Sequence, residues 1–408
     1  MNDTSMDIAA QGRLVSFLDQ LGEILHNKCR RASFATYAMG LLSDGERKSM
    51  EPIAARACGD PARADAVHQR LQHFITNGDW SDAEIRRAAA QYALGAITQD
   101  ECIQTWIVDD TGFLKQGSHS VGVQRQYTGS AGKTTNCQIG VSLTLATQTR
   151  HLPVDFELYL PRCWAEDARR RREAQIPDDI GFRTKPELAL QMIRRAVAAG
   201  LPRGIVLSDG AYGTSSAFRE ELTDLGLDYA VGVDPQTKVW CMDRLRRRRG
   251  SALSVRHLAI AIGREGFRRV TWREGTKQKL WAHFAVRRVV PFHDDGVAPS
   301  VRGDLWLIME WPDGEAAPTK YYFASLPRQI TVKQLVRTIK QRWRTERVYE
   351  DFKGELGLDH FEGRRFRGWH HHVSVALCVY AFVAAEQARR FPPQTRGKTR
   401  HNSQPLAA

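Results

Sequence analysis

Apolar positions in the first quarter of the chain recur at helical spacing. The segments GRLVSFLDQLGEIL and SDAEIRRAAAQYAL place their apolar side chains on one side of a helix that turns about 100° per residue. Ser81 stands before an acidic pair, Asp82 and Glu84, which is the pattern of an N-cap followed by an acidic first turn. We therefore predict a helical N-terminal domain over residues 1–100.

The pattern changes to β-strands near residue 103. The segments IQTWIVDDTGF, NCQIGVSLTLATQT and LPVDFELYLP are rich in β-branched and aromatic residues and are separated by turn-forming residues. Two helical segments then alternate with two short apolar strands. This alternation is typical of an α/β fold. We therefore predict the first part of a core domain over residues 101–233.

The alternation of helices and strands stops after residue 233. Residues 234–318 include WREGTKQKLWAHFAVRRVV, which alternates in the manner of antiparallel strands, and we predict a β-rich insertion there. A returning strand and two helices predict the second part of the core over residues 319–390. The polar tail, residues 391–408, is predicted to be disordered.

A helix predicted over residues 331–356 carries charged side chains on the face expected to point inward. Helical spacing puts Arg342, Glu346 and Lys353 on the same side as the apolar Leu335 and Ile339. A buried ion pair is one explanation, although removing charges from water is costly; placement for chemistry is the other. The charged residues expected on the solvated side are Arg337, Lys340, Arg344, Arg347, Asp351 and Glu355.

Two aspartates end predicted strands and stand out by position. Asp110 ends TWIVDD and Asp209 ends GIVLSD, and ligand-binding groups in α/β sheets converge at the carboxyl ends of strands. Two unit charges 4 Å apart repel by roughly 4 kcal/mol at an effective dielectric of 20, so a cluster with Glu346 requires cations. Hard carboxylate oxygen atoms suit Mg²⁺ or Mn²⁺. The alternative is that each aspartate is a turn residue or helix cap, and strand alternation lets only one of Asp109 and Asp110 face the site.

The charge of the chain indicates an anionic partner. Lysine and arginine number 59 against 46 aspartate and glutamate residues, a formal charge of +13, which favours nucleic acid. In the basic run DRLRRRRG, DNA contact is favoured over a solvated surface for Arg246, Arg247, Arg248 and Arg249. The seven scattered cysteines contain no CxxC pair, which argues against a disulfide framework or a structural zinc site. The most apolar late stretch, VSVALCVYAFVAA, is too short to span a bilayer, so no membrane partner is expected.

Several sequence blocks resemble a known family. The stretch RWRTERVYEDFK fits the pattern Arg-Trp-x-x-Glu-x(6)-Lys of IS4-like DDE transposases, in which Arg342, Glu346 and Lys353 match the last three positions of a Tyr-Arg-Glu-Lys signature. Ile339 occupies the tyrosine position. The blocks VDDTGFLKQG, RQYTGSAGKTTNCQIGVSL, SDGAYG and ELGLDHFEGRRFRGWHHHV resemble, in the same order, the IS701 group of insertion-sequence transposases. The resemblance covers roughly residues 30–390.

The resemblance implies a fold and a chemistry. It implies an RNase H-like core, a mixed sheet flanked by helices, with a β-rich insertion before the last catalytic helix. Asp110, Asp209 and Glu346 would hold two Mg²⁺ or Mn²⁺ ions, and Arg342 and Lys353 would bind DNA phosphates. The expected partners are double-stranded DNA at the terminal inverted repeats and at the target, with a homodimer in the DNA complex. A bacterial, cytoplasmic and nucleoid-associated protein is expected.

Other functions remain open at this level. The N-terminal helices could bind the element's ends or serve as a plain packing domain. A domesticated regulator or scaffold with this fold would have the same basic charge and would tolerate loss of an acid. A non-transposing metal-dependent nuclease would cut DNA without being confined to a specific inverted repeat.

Overall fold

Helices make up the N-terminal part of the protein. The computed structural model describes residues 7–241, 251–274, 279–293 and 303–392 of the chain. The cap predicted at Ser81 is present, because its hydroxyl accepts a hydrogen bond from the Glu84 N–H. Asp7 and Asn27 cap the first two helices in the same way. The helices are α1 (Ile8–Ile24), α2 (Lys28–Leu42), α3 (Met50–Ala57), α4 (Ala64–Gln72) and α5 (Asp82–Ile97).

A mixed sheet forms the centre of the molecule, with β1 (Thr105–Leu114) in its middle. On one side β1 pairs antiparallel with β3, which also pairs with β2 and β4. On the other side β1 pairs parallel with β5, and β5 pairs parallel with β6. These elements are β2 (Gln124–Thr128), β3 (Lys133–Ala146), β4 (His151–Tyr159), α6 (Arg162–Ala165), α7 (Ala168–Ala174), α8 (Lys185–Ala198), β5 (Ile205–Ser208), α9 (Gly210–Gly213), α10 (Ser216–Asp224) and β6 (Tyr229–Val233).

The strands that follow residue 233 extend the same sheet. The last strand, β12, pairs antiparallel with β6 and so joins the later strands to the core. The order continues as β11, β10, β7 and β8, with β9 paired to β10, so twelve strands form one sheet in the described residues. These elements are β7 (Lys238–Cys241), β8 (Leu253–Ser254), α11 (Val255–Ile262), β9 (Arg268–Glu274), β10 (Lys279–Pro291), β11 (Leu305–Trp311) and β12 (Lys320–Ala324).

The helix predicted over residues 331–356 is divided in two. A tight turn, Lys340–Arg342, separates α12 (Val332–Ile339) from α13 (Trp343–Gly354). The turn changes the helical phase, so the prediction that Lys340 and Arg344 face solvent is wrong. Lys340 Nζ lies 2.5 Å from Glu310 Oε1, and Arg344 is buried. Arg347 is exposed, as predicted.

A long helix, α14 (Phe366–Arg390), packs on α5 and β4 and is buried along most of its length. The three histidines near its start have separate partners, so they pack the helix start against different parts of the molecule. His371 Nδ1 lies 2.9 Å from the Ile75 carbonyl, and His372 Nδ1 lies 2.9 Å from the Tyr37 hydroxyl. Burial lowers the pKa of both His371 and His372 to about 4.

Two predictions fall where the structure gives no description. Arg246, Arg247, Arg248 and Arg249 lie outside the described residues, as does most of the tail predicted to be disordered. All seven cysteines are free thiols. None of the helices in the described part of the chain combines the length and the apolarity needed to cross a bilayer.

Candidate active site

Strands β1 and β5 bring two aspartates to the same edge of the sheet. Ile107 pairs with Leu207, so Asp109 and Asp209 follow at matching positions just beyond the last paired residues. Ile107 and Leu207 belong to the apolar cluster that α12 completes. Because alternate side chains of a strand share a face, Asp109 and Asp209 lie on the face that α12 covers.

Asp109 is the buried member of the aspartate pair. Its Oδ2 accepts a hydrogen bond from Arg342 Nη2 at 2.9 Å, and its Oδ1 accepts one from the Asp110 N–H at 2.9 Å. Burial raises the pKa of Asp109 to about 6, against the opposing effect of Arg342 and with added repulsion from Asp209 and Asp110. One guanidinium therefore faces several carboxylates, and the balance of charge stays negative.

Asp110 faces the other side of the sheet. Its Oδ2 lies 3.0 Å from Lys185 Nζ at the start of α8 and accepts a hydrogen bond from the Tyr212 hydroxyl at 3.1 Å. Burial, followed by the nearby negative charge of Asp110, raises the pKa of Tyr212 well above its ordinary value. Of the two adjacent aspartates, Asp109 shares a face with Asp209 and Asp110 contacts α8 and α9.

Asp209 begins the short helix α9. Its Oδ1 accepts a hydrogen bond from the Ala211 N–H at 3.0 Å, which is the helix-cap role considered as the alternative. The cap uses only one of the two carboxylate oxygen atoms. A Cβ at Gly232 of β6 would lie 2.8 Å from the Gly210 nitrogen, so glycine allows the close approach that holds this turn in place. The cap and a ligand role for Asp209 are therefore compatible.

Of the three signature residues, Arg342 ends the tight turn before α13, and Glu346 and Lys353 lie on α13. Arg342 contacts Asp109, whereas Glu346, one turn further along, is exposed, so the prediction that Glu346 faces inward is wrong. Lys353 Nζ donates to Thr111 Oγ1 at 2.8 Å, to the Gly112 carbonyl at 2.7 Å and to a third oxygen, Ser130 Oγ, at 3.1 Å. Arg342 and Lys353 thus both reach β1.

An apolar residue, Ile339, occupies the tyrosine position of the signature. Ile339 lies in the apolar cluster beneath α12. The hydroxyl of Tyr349 on α13 is 2.6 Å from Ser142 Oγ. Tyr349 therefore contributes to the packing of α13 on β3.

The site has the donors that a hard divalent cation prefers, although it is not closed around one. Asp109, Asp209 and Glu346 offer only carboxylate oxygen atoms, and repulsion between the aspartates favours a bound cation. Within the described ranges, no three histidine, cysteine, aspartate or glutamate side chains lie close enough together to hold a metal ion. The donor set therefore fits Mg²⁺ or Mn²⁺ in its chemistry.

Sequence reasoning did not identify Lys185 and Tyr212 as neighbours of Asp110, or Ser130 as a neighbour of Lys353. Tyr212 and Ser130 lie within the blocks SDGAYG and RQYTGSAGKTTNCQIGVSL, on which the family resemblance was based. Their position within those blocks is the feature of the sequence that could have indicated a role at the site. Neither spacing nor hydropathy indicates that these side chains contact β1.

Comparisons with known proteins agree with this arrangement. Residues 20–279, more than half of the chain, match the family of DDE superfamily endonucleases, and residues 181–382 match the transposase DDE domain. A probable transposase for insertion sequence element IS701 from Microchaete diplosiphon is 26% identical over 337 residues, covering 81% of this chain and 76% of that protein. The chain therefore belongs to the DDE superfamily of endonucleases, as a DDE-type transposase.

Proposed function

We propose that this chain cuts DNA at the ends of an insertion sequence and joins those ends to target DNA. The reaction would be phosphodiester hydrolysis followed by transesterification at a two-metal-ion site in an RNase H-like core. The main support is that Asp109 and Asp209 meet on one face of the sheet, beside Arg342 and the helix α13 that follows it. The order β3-β1-β5-β6, antiparallel and then parallel, suits such a core.

We propose Asp109, in place of the sequence-predicted Asp110, as the first acid of the triad. Asp109 shares its face with Asp209 and contacts Arg342. Asp110 is held by Lys185 and Tyr212 on the opposite face. Through these two contacts, Asp110 anchors the end of β1 to α8 and α9 and so positions the strand.

Different residues of the chain would bind the metal ions, orient a carboxylate and bind the DNA. Asp109, Asp209 and Glu346 would hold two divalent ions, which when bound supply activation of a water molecule and stabilisation of the leaving oxygen. Arg342 offsets the charge of Asp109 and orients its carboxylate. Lys353 binds a DNA phosphate on the other side of the site. No covalent protein–DNA intermediate is needed, so no serine or tyrosine nucleophile takes part.

The DNA partners follow from the charge and from the reaction. We propose that the N-terminal helices and the basic segment around Arg246–Arg249 bind double-stranded DNA, which releases counterions and makes binding strongly salt-dependent. Joining two ends of one element to a target requires two active sites held together. A homodimer in the DNA complex meets that requirement.

Incubation of labelled DNA with the protein tests the proposed function. A duplex carrying the element's terminal repeat is compared with a scrambled duplex, in Mg²⁺ and in EDTA. We expect Mg²⁺-dependent cutting at the repeat, followed by joining to a plasmid target. Binding without cutting would favour a scaffold or regulator, and cutting of both duplexes alike would favour a non-transposing nuclease.

A further inference from the structure

The tight turn before α13 places Arg342 against Asp109, yet Arg342 cannot cap the helix that follows it. It stands at the N-cap position of α13, and an arginine side chain has no acceptor for the free N–H groups of a helix. Gln341, in the middle of the turn, accepts a hydrogen bond from Arg344 Nε at 2.6 Å. The remaining residue of the turn, Lys340, makes its contacts with distant strands.

A buried carboxylate of β11 holds Lys340. Lys340 Nζ lies 2.5 Å from Oε1 of Glu310, whose side chain is only 5% exposed. The second oxygen of that carboxylate, Oε2, accepts a hydrogen bond from the Tyr322 hydroxyl of β12 at 3.2 Å. Burial lowers the pKa of Lys340 and the charge of Glu310 opposes this effect, so the ammonium group depends on its acid partner. The pair therefore joins the first residue of the turn to the sheet.

Tyr322 links this contact to Arg342. Burial, followed by the charge of Glu310, raises the pKa of Tyr322 above its ordinary value, and the guanidinium of Arg342 acts in the opposite direction. Tyr322 also belongs to the apolar cluster that contains Ile339, the last residue of α12. The phenol is therefore coupled both to the acid that holds Lys340 and to the guanidinium of the turn.

A β-bulge in β9 presents two further side chains to the turn. The pairing of β9 with β10 shifts register between Thr271 and Arg273, so Trp272 is the extra residue of the bulge. Adjacent side chains of a regular strand point to opposite faces, whereas a bulge re-aims them. Lys340 Nζ lies 4.5 Å from the centre of the Trp272 ring, and Arg273 Cζ lies 4.0 Å from the centre of the Trp343 ring. The bulge therefore contacts the first residue of the turn and the first residue of α13.

We propose that Glu310 and Lys340 are a positioning pair for the reaction, an inference that rests on the proposed function. Fixing Lys340 fixes the turn, and the turn presents Arg342 to Asp109. The pair resists displacement, because moving the cation away would leave the Glu310 carboxylate buried and unpaired. A displacement of about 1 Å at a reacting site can cost about 100-fold in rate. Strands β9 and β11 therefore act on the site through the turn, although neither pairs with β1 or β5.

Single-turnover cleavage of an end duplex by single and combined variants tests this role. Lys340→Met removes the cation at similar side-chain length, whereas Lys340→Arg keeps it. The combined variant Glu310→Gln, Lys340→Met removes both charges and leaves neither of them buried and unpaired, so it is the variant to use if Lys340→Met alone does not fold. Each variant is also made in the Arg342→Gln background.

Arg288→Met is the matched control. Arg288 Nη2 lies 2.8 Å from Asp304 Oδ1, and Arg288 Cζ lies 4.8 Å from the centre of the Trp306 ring. This cation therefore has the same kinds of partner as Lys340, an acid and a tryptophan, in the same sheet. Affinity for the end duplex and thermal unfolding are measured for every variant.

The pair should act on the rate of cutting, and it should do so through Arg342. The combined variant is expected to cut at least about tenfold more slowly than wild type, with nearly unchanged affinity for the end duplex. Lys340→Arg and Arg288→Met should cut at nearly the wild-type rate. In the Arg342→Gln background, loss of the pair should have little further effect, because residues that act in one chain of contacts are not additive.

Fluorine nuclear magnetic resonance of protein labelled with 5-fluorotryptophan reports on the turn without DNA. Trp343→Phe identifies the resonance of Trp343, which directly follows the turn. The combined variant should shift or broaden this resonance, whereas Arg288→Met should leave it unchanged.

Two results would overturn the inference while the proposed function stands. In the first, wild type cuts the end and the folded combined variant cuts equally fast. In the second, loss of the pair slows cutting as much in the Arg342→Gln background as in wild type, so that the pair does not act through Arg342. If wild type does not cut end DNA, the proposed function fails and the role of the pair in the reaction fails with it. An unchanged Trp343 resonance would then show that the pair does not hold the turn either.

Discussion

Two groups of acids on the same sheet have opposite electrostatic surroundings. On β4, Asp155 lies 2.8 Å from Arg195 Nη2 and 3.3 Å from Arg86 Nε. Glu157 lies 2.6 Å from Arg195 and 3.3 Å from His370 Nε2. These two acids form a buried network that joins β4 to α5, α8 and α14. At the end of β1, by contrast, Arg342 faces Asp109 with Asp209 close by.

The two groups differ in how completely neighbouring cations of the protein offset the cost of burying a carboxylate. Burial alone would raise the pKa of Glu157, but the hydrogen bond and charge of His370, with Arg195 and Arg86, hold it at about 2. Burial raises the pKa of Asp109 to about 6 because Arg342 does not outweigh it. The β4 network is satisfied within the protein. In the β1 cluster Arg342 does not fully offset the effect of burial and of the neighbouring carboxylates on Asp109, and such a perturbed pKa is typical of a functional site.

Substitution of the three proposed metal-binding acids should give the largest effect, and the quantity that changes should be the cleavage activity. Asp109→Asn, Asp209→Asn and Glu346→Gln are each expected to reduce end cleavage about 10³-fold or more, because a metal site supplies several kcal/mol of transition-state stabilisation. Stability should change little, because like-charge repulsion is relieved. Single-turnover cleavage and urea unfolding measure the two quantities.

Asp110→Asn is the matched comparison for these three substitutions. It should reduce cleavage only about tenfold, the effect of a lost hydrogen bond that positions β1. If Asp109→Asn and Asp110→Asn lose cleavage activity equally, the different roles proposed for the two aspartates are wrong.

Substitution of the β4 network should instead act on stability. Asp155→Asn removes one of the two carboxylates paired with the buried Arg86, the other being Asp82, and weakening a hydrogen-bonded charge pair in this way costs about 1 to 3 kcal/mol. The free energy of unfolding from urea titration measures this loss. Cleavage per folded molecule should stay at the wild-type level, and a variant as stable as wild type would show that the network carries little of the fold's stability.

Acid pH should destabilise the protein through Glu157. Because its pKa is lowered in the folded state, the stabilisation it gives is complete above its ordinary value of 4.5 and is lost as pH falls towards about 2. That difference corresponds to about 3 kcal/mol. The fall in unfolding free energy over this pH range should be smaller for Glu157→Gln than for wild type. Parallel curves for the two proteins would contradict this assignment.

A surface ion pair should give the smallest effect. Arg194 Nε lies 2.8 Å from Glu221 Oε1, and both side chains are accessible to solvent. Glu221→Gln is therefore expected to change the free energy of unfolding by less than about 1 kcal/mol. This variant is the exposed counterpart of Asp155→Asn. If both variants lose the same free energy of unfolding, burial is not what makes the Asp155 pair stabilising.

The α/β character and the signature helix could be predicted from sequence because both are local patterns. Arg342 and Lys353 reach β1 as predicted, although Arg342 lies in the tight turn before α13 and Glu346, predicted on the same face, is exposed. The inward direction of the Lys340 and Arg344 side chains could not be predicted. It depends on a tight turn and on two distant partners, the Glu310 carboxylate and the Gln148 carbonyl.

The choice between Asp109 and Asp110 could not be made from the sequence. β1 is buried on both faces, so its hydropathy does not alternate. The face of each aspartate follows from pairing with β5 and from which helix covers which side. The β4 network escaped prediction for a similar reason, because Arg86, Asp155 and His370 are far apart in the chain. The joining of the later strands to β6 likewise depends on a long-range pairing.

Binding of Mn²⁺, followed by electron paramagnetic resonance on the complex with end DNA, tests the central claim most directly. The claim is that Asp109, Asp209 and Glu346 hold the divalent ions while Asp110 does not. Wild type and Asp110→Asn should bind Mn²⁺ with similar affinity, whereas Asp109→Asn and Glu346→Gln should lose tight binding. Retention of tight binding by Asp109→Asn, with loss in Asp110→Asn, would contradict the account.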